Sequence, residues 1–164
     1  MQQTFMLAPG EGKAVSLGGL GAIYKLRGED TGGAFAVVEH PLAPGFIGAP
    51  IHTHRNEDEY SYILEGQVTI QIGDQVLRAG PGALVLKPRG ILHAFWNEGP
   101  QPVRLLEIIS PAGFERYFEE LAELIPPDRP PDVSRLAALW GKYGLEMDME
   151  SVARIAEQYH VRLM

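Results

Sequence analysis

Two stretches of the chain decide its fold: IHTHRNEDEYSYILEG at residues 51–66 and PGALVLKPRGILHAFWN at residues 81–97. The first contains His52, His54 and Glu59, and the second contains His93. Side chains alternate between the two faces of a β-strand, so His52 and His54 share a face and Thr53 points away. Imidazole and carboxylate groups that converge on one point are the ligands of a divalent transition metal. We therefore take these two histidines, the glutamate and the later histidine as candidate metal ligands.

Short apolar or alternating runs continue around these stretches, from about residue 22 to residue 109. VTIQI at 68–72 and VRLLEII at 103–109 are typical strands, and turn signals rich in Gly and Pro separate such runs. Gly73-Asp74, between VTIQI and QVLRA, predicts a two-residue hairpin turn. Many short strands without intervening helices favour an antiparallel sandwich or barrel over a parallel sheet.

After Pro111 the hydrophobic period changes to that of a helix, which predicts an amphipathic helix packed on the barrel. Asp132 and Asp148 are candidate N-caps of two more short helices. Two interpretations of these helices are open. Either their apolar faces serve only as packing surface, or the helices cover the mouth of the barrel or a dimer seam. We expect one domain, with a barrel and its N-terminal strands at 1–112 and a helical extension at 113–164. The predicted first helical face consists of Phe114, Tyr117, Phe118, Leu121 and Leu124.

Composition excludes several classes of function. The chain of 164 residues has 14 Lys and Arg against 21 Asp and Glu, a formal net charge of −7 that would repel nucleic acid and anionic membranes. Without cysteine it has no disulfide and no thiolate-bound zinc or iron–sulfur site. From its first residues, MQQTFMLAPGEG, we expect neither a signal peptide nor a membrane span. We expect a cytoplasmic protein with no nucleic-acid or membrane partner.

The polar residues around the candidate ligands have ordinary structural interpretations. His40 and His160 lack comparable context and are interpreted as structural. Glu57 and Asp58 belong to a polar connector after His54, and we expect both to be solvated.

With these residues in view, the chain resembles the cupin superfamily. The pattern HxHxxxxExxxxxxG and the pattern GxxxxxPxGxxHxxxN are both matched at every fixed position. One departure is that Gly45 leaves six residues before His52, where the family has five, and this affects only the entry turn. The matched positions are His52, His54, Glu59 and Gly66, then Gly82, Pro88, Gly90, His93 and Asn97.

The resemblance is to single-domain, type 2 conserved-barrel cupins, including quercetin-dioxygenase-like members. It implies a double-stranded β-helix, or jelly roll, over about residues 20–110, with the four candidate ligands inside the barrel. The implied cofactor is one divalent transition metal among Fe, Mn, Ni, Co, Cu and Zn. The glycines, Pro88 and Asn97 would have structural roles. From strand alternation, the possible pocket lining is Ser61, Ile63, Val68, Ile70 and Phe95.

Three functions follow as hypotheses. The first is an oxygenase for a small aromatic or enol-type substrate, in which Glu59 is both ligand and catalytic base. The second is an isomerase or lyase of a small sugar or keto acid, for which Lys87, Arg89 and Arg104 are the nearby cations. We expect Lys87 and Arg89 to be solvated at a turn. The third is a metal-dependent binding module without turnover.

The resemblance also implies a homodimer. Its seam is expected at residues 1–20 and the C-terminal helices.

Overall fold

The computed structural model describes residues 5–128 and 130–163, and its regular elements account for most of them. The strands are β1 (Ala14–Leu17), β2 (Leu20–Leu26), β3 (Ala36–Leu42), β4 (Phe46–His54), β5 (Asp58–Glu65), β6 (Val68–Ile72), β7 (Gln75–Ala79), β8 (Leu84–Lys87), β9 (His93–Asn97), β10 (Val103–Ser110) and β11 (Leu145–Asp148). The helices are α1 (Arg116–Leu124), α2 (Val133–Tyr143) and α3 (Ser151–Tyr159), and a 3-10 turn spans Gly28–Thr31.

The strands form two sheets that enclose a common core. One sheet has the order β1-β2-β3-β10-β5-β8, and the other has the order β11-β4-β9-β6-β7. Every strand pair in both sheets is antiparallel, and β10 lies between β3 and β5, which are far from it in sequence. The predicted fold class, a jelly roll with a short C-terminal helical extension, is confirmed.

Strand alternation separates a core face from an outer face, as the sequence predicted. On β5, Glu59, Ser61 and Ile63 are buried, whereas Tyr62 is 40% exposed. Ile63, together with Val68 and Ile70 of β6, belongs to the main hydrophobic cluster between the sheets. The alternation therefore places the polar residues of β5 in the interior.

Two predicted turns have the conformations that their glycines allow. Ile72 pairs with Gln75 across Gly73-Asp74, which confirms the hairpin. Gly66 has a φ of +74°, and a Cβ there would lie 2.4 Å from the carbonyl oxygen of Pro102. A larger residue at this position would therefore be strained and would also collide with a neighbouring backbone.

The C-terminal segment packs on the barrel through α1. Tyr117 and Phe118 of α1 and the preceding Phe114 are buried in the main cluster. Asp132 caps α2, because its side chain accepts hydrogen bonds from the backbone of Ser134 and Arg135.

Strand β11 was not predicted, and it adds the C-terminal segment to the barrel itself. It pairs with β4, so that Leu145 lies opposite His54 and Met147 lies opposite His52. Asp148 ends this strand and also accepts a hydrogen bond from the backbone N–H of Ser151, where α3 begins. The N-cap of α3 is Glu150, however, so the prediction that Asp148 is this cap was wrong. A second cluster lies under α3, formed by Ile47, Ile51, Ala94, Trp96, Ile155 and Val161.

Candidate metal site

The structure brings the four predicted ligands together inside the barrel. His52 and His54 lie at the end of β4, His93 begins the neighbouring β9, and Glu59 faces them from β5 of the other sheet. His52 pairs directly with His93 in the strand register. All four are buried, and one candidate ligand atom of each lies within 4.8 Å of the others. The cluster could therefore hold a metal ion.

Backbone carbonyls orient two of the imidazole rings. Nδ1 of His52 lies 2.8 Å from the carbonyl oxygen of Pro50, and Nδ1 of His93 lies 3.0 Å from that of Ile91. A carbonyl oxygen can only accept, so each Nδ1 carries the proton and each Nε2 presents a lone pair. The turn that begins at Pro88 supports this arrangement, since Ile91 N–H donates to its carbonyl and Gly90 N–H donates to that of His54.

The ring nitrogens and the carboxylate face each other as electron-pair donors. Nε2 of His52 and Nε2 of His54 are 3.2 Å apart. Glu59 Oε1 lies 3.4 Å from Nε2 of His54, and Glu59 Oε2 lies 3.4 Å from Nε2 of His93. Nε2 of His93 is buried without a hydrogen-bond partner. Ligand atoms about 2.1 Å from a metal lie roughly 3 to 4 Å apart, so a cation between them fits this donor set.

The electrostatics of the cluster favour the charge states that a metal requires. Burial holds the pKa of His52 well below its usual value, and burial also lowers the pKa of His93. Burial alone would raise the pKa of Glu59, but opposing effects of its surroundings, above all the ammonium of Lys87, hold that pKa well below its usual value. Neutral imidazoles and an ionised carboxylate are the forms that bind metals.

Glu57 is buried against His54, so the prediction that it is solvated was wrong. It is only 7% exposed, and its Oε2 lies 3.5 Å from Nδ1 of His54. Neither atom has a hydrogen-bond partner in the structure. The adjacent Asp58 instead pairs with Arg89 near the surface. Glu57 therefore stands on the far side of His54 from the cluster, where the other two rings meet backbone carbonyls.

Lys87 was also expected to be solvated, and the structure buries it. Its exposure is 2%, and its Nζ lies 2.9 Å from Glu59 Oε2 and 2.7 Å from Glu107 Oε2. Ser61 donates its hydroxyl to the carboxylate of Glu107 from 3.0 Å. The missed signal is strand alternation, because Lys87 shares the inward face of β8 with Val85 and Glu107 shares that of β10 with Leu105.

A cavity of about 170 Å³ opens on the cluster. Among the predicted lining residues, Phe95 does line this cavity, whereas Ser61, Ile63, Val68 and Ile70 do not. Ser61 is held by Glu107, and the three aliphatic residues are packed into the main core cluster. The extension also lines the cavity, which agrees with the alternative that its helices cover the mouth of the barrel. Its lining residues include Phe114, Tyr117, Phe118, Leu121, Leu136 and Trp140.

The remaining candidate residues have structural surroundings. His40 is buried, with its Nδ1 2.7 Å from the carbonyl oxygen of Gly21, although its ring also lines the cavity. His160 is exposed after the end of α3. Asn97 donates to the carbonyl oxygens of Leu42 and Gln101, which agrees with its expected structural role.

Comparison with known proteins agrees with this fold. The family model of the cupin domain matches residues 39–109, which contain all four candidate ligands. Residues 39–109 of the chain therefore match the cupin domain, which agrees with the resemblance to the cupin superfamily. No curated protein matches the sequence.

Solved structures share the fold at low sequence identity. KdgF from a Halomonas species matches with a TM-score of 0.60 and 14% identity, over 70% of this chain and 99% of its own. The polyketide cyclase RemF from Streptomyces resistomycificus matches with a TM-score of 0.58 and 23% identity, over 66% and 80%. A sugar phosphate isomerase from Silicibacter pomeroyi matches with a TM-score of 0.50 and 24% identity, over 56% of this chain and 59% of its own. The present chain thus spans little more than half the length of that isomerase.

None of the helices among the described residues is long and apolar enough to cross a membrane.

Proposed function

We propose that the protein is a metal-dependent oxygenase that acts on a small aromatic or enol-type substrate. The observation that carries the proposal is the apolar cavity that ends at the cluster of three histidines and one glutamate. Aromatic and aliphatic side chains from both the barrel and α1 form its walls, which suits a flat, largely apolar ligand. A bound divalent transition metal would supply a Lewis-acidic centre and a means of coupling an electron-rich substrate to dioxygen.

The side chains of the site would bind the metal, transfer a proton and bind the substrate. His52, His54, Glu59 and His93 would hold the metal. The carboxylate of Glu59 would accept the hydroxyl proton of the substrate, the role expected from the sequence. The side chains of Phe95 and Phe114 would bind the apolar body of the substrate and exclude water from the site.

Oxygen consumption tests the proposal directly. The metal content of the purified protein is measured first by elemental analysis, and the protein is then loaded with Fe, Mn, Ni, Co or Cu. Oxygen uptake is followed with flavonols, catechols and 1,3-diketones. We expect uptake with at least one pair of metal and substrate, its loss in Glu59→Ala, and no change in His160→Ala. No uptake with any pair would contradict the proposal.

Proton-transfer chemistry, as in an isomerase or lyase, is the second candidate. It is favoured by Glu107, which lines the cavity and whose pKa is raised to about 7 by burial. A phosphosugar substrate is disfavoured, because Arg89 pairs with Asp58 and Arg104 with Glu39 and Glu65, and neither arginine lines the cavity. Exchange of solvent deuterium into a small keto acid identifies this activity, whereas a binding module would bind its ligand without turnover.

The homodimer and the cytoplasmic location stay predictions. Residues 1–4 of the expected seam lie outside the described residues. Helices α1 and α2 direct part of their apolar surface onto the cavity through Tyr117, Phe118 and Leu136. A monomer in sizing chromatography of the whole chain would contradict the dimer.

A further inference from the structure

Lys87 is a buried cation that the proposed metal site does not require. It lines the cavity, and its ammonium lies between the carboxylates of Glu59 and Glu107. Burial of an ammonium and two carboxylates costs several kcal/mol in lost hydration, and apolar residues would fill the same space at less cost. The interior position of this charge therefore points to a role beyond stability.

The geometry leaves one N–H of Lys87 available to a ligand. An ammonium group has three N–H donors, and the described residues place two carboxylate acceptors within hydrogen-bonding distance of Nζ. The ring centroid of Phe95, which also lines the cavity, is 5.5 Å from Nζ. Ser61 fixes Glu107 with a hydroxyl hydrogen bond, so the ammonium is held in place from behind. Its remaining donor is free to meet a ligand oxygen next to Glu59.

The charge of the site indicates that this ligand oxygen would be negatively charged. The charges of Lys87 and Glu59 cancel, so a divalent metal would leave the site with a net positive charge. A negatively charged oxygen on the ligand would reduce this charge. Among the described lining residues Lys87 is the single Lys or Arg, so a dianion such as phosphate would be left with excess charge in an apolar cavity.

We propose that Lys87 is a further active-site residue, which donates a hydrogen bond to the oxygen anion of an enolate or phenolate ligand beside the metal site. Glu107 and Ser61 are positioning residues that hold the ammonium toward the cavity. The inference rests on the proposed function for the ligand class, and it adds a binding group that does not depend on the metal.

Binding of 4-nitrocatechol to the zinc-loaded protein tests this role without turnover. Zinc has no redox chemistry, and the ionisation of the probe is visible in its absorption spectrum. The variants are Lys87→Met and the double variant Lys87→Met/Glu107→Gln, which replaces the ammonium together with its partner carboxyl group, so that no acid is left buried without its cation. Lys142→Met, at an exposed lysine on α2, is the matched control. Zinc stoichiometry is measured for each protein before the probe is added.

We expect both Lys87 variants to bind zinc and to bind 4-nitrocatechol about 10- to 100-fold more weakly than the wild type, as a lost charged hydrogen bond predicts. The apparent pKa of the bound probe should also rise, while Lys142→Met matches the wild type. The proposal is overturned if the double variant binds the probe within twofold of the wild type, or if inorganic phosphate binds more tightly than the probe. A double variant that does not fold would assign Lys87 a structural role and would also overturn it.

Failure of the oxygenase proposal is distinguishable from failure of this inference. Absence of oxygen uptake, combined with probe binding that depends on Lys87, would reject the oxygenase and retain the ligand class.

Discussion

The ligand cluster is one region of the site, and the aromatic side chains that the C-terminal segment places over the cavity, here called the cover, are another. Different forces hold the two regions together. The cluster consists of polar groups whose positions depend on strand register and on carbonyl oxygens behind the rings of His52 and His93. The cover consists of aromatic side chains, with Phe114 stacked on Tyr117 at 5.0 Å and set edge-on to His54 at 4.4 Å. Hydrogen bonds contribute little net stability but fix direction, whereas buried aromatic rings contribute much of the stability with less directional control. Substitutions should therefore affect metal binding in one region and folding in the other.

The largest expected effect is on metal binding in the cluster. His93→Gln removes one ligand, and we expect metal affinity to fall on the order of 1,000-fold. The free energy of unfolding of the metal-free protein should fall by only about 1 kcal/mol, since Nδ1 of His93 loses its hydrogen bond to the carbonyl oxygen of Ile91 but Nε2 has no partner to lose. Metal titration and urea unfolding measure the two quantities, with His160→Gln as the control. A large loss of stability with unchanged metal affinity would contradict the expectation that the cluster acts on metal binding and the cover on folding.

The opposite result is expected for the cover. Phe114 is 3% exposed, and Phe114→Ala should lower the free energy of unfolding by about 3 to 5 kcal/mol through lost burial and a new cavity. The folded fraction should still bind metal within about tenfold of the wild type, because Phe114 supplies no ligand. Urea unfolding again measures the free energy of unfolding, and metal titration measures the metal affinity. Val133 is 72% exposed, so Val133→Ala should change neither the free energy of unfolding nor the metal affinity.

The two regions also differ in how far the sequence predicts them. The histidine spacing and the period of two predict the ligands and their shared face, because both are local properties of β4 and β9. Lys87 was misjudged because its own neighbours, Pro88 and Arg89, indicate a turn. Its burial depends on Glu59 of β5, which lies opposite it in register, and on Glu107 of β10. Strand β11 likewise could not be predicted from its own sequence, LEMD at residues 145–148, since this short segment becomes a strand by pairing with β4.

His40 lies between the two regions and provides a test by pH. Its ring centroid is 4.8 Å from that of Phe118, and burial lowers its pKa to about 4. In the unfolded chain its pKa is about 6.5, so between about pH 6.5 and 4 the unfolded state binds a proton that the folded state does not. Stability from this group is therefore present above about pH 6.5 and is lost as the pH falls, by about 2 to 3 kcal/mol at pH 4.5.

The measurement compares His40→Asn with the wild type, both with chelator, by urea unfolding at pH 7.5 and 4.5. The ligand histidines are present in both proteins, so their contribution cancels. The variant should lose about 2 to 3 kcal/mol less than the wild type between the two pH values. Equal losses would show that His40 does not link the pH to stability.

Glu57 should give the smallest effect and the sharpest test, because its contributions to metal binding and to folding are expected to have opposite signs. Its Oε2 faces Nδ1 of His54 but is buried without a hydrogen bond. A carboxylate behind a ligand histidine holds the ring and increases its basicity, so Glu57→Gln should weaken metal binding by about 10- to 100-fold. The same change removes a poorly paired buried acid, and the metal-free protein should become about 1 kcal/mol more stable. Asp58→Asn is the matched control, since this neighbouring carboxylate pairs with Arg89 away from the cluster and should leave metal affinity within about twofold. If Glu57→Gln instead loses stability and keeps its metal affinity, Glu57 belongs with the packing residues of the cover and not with the ligand cluster.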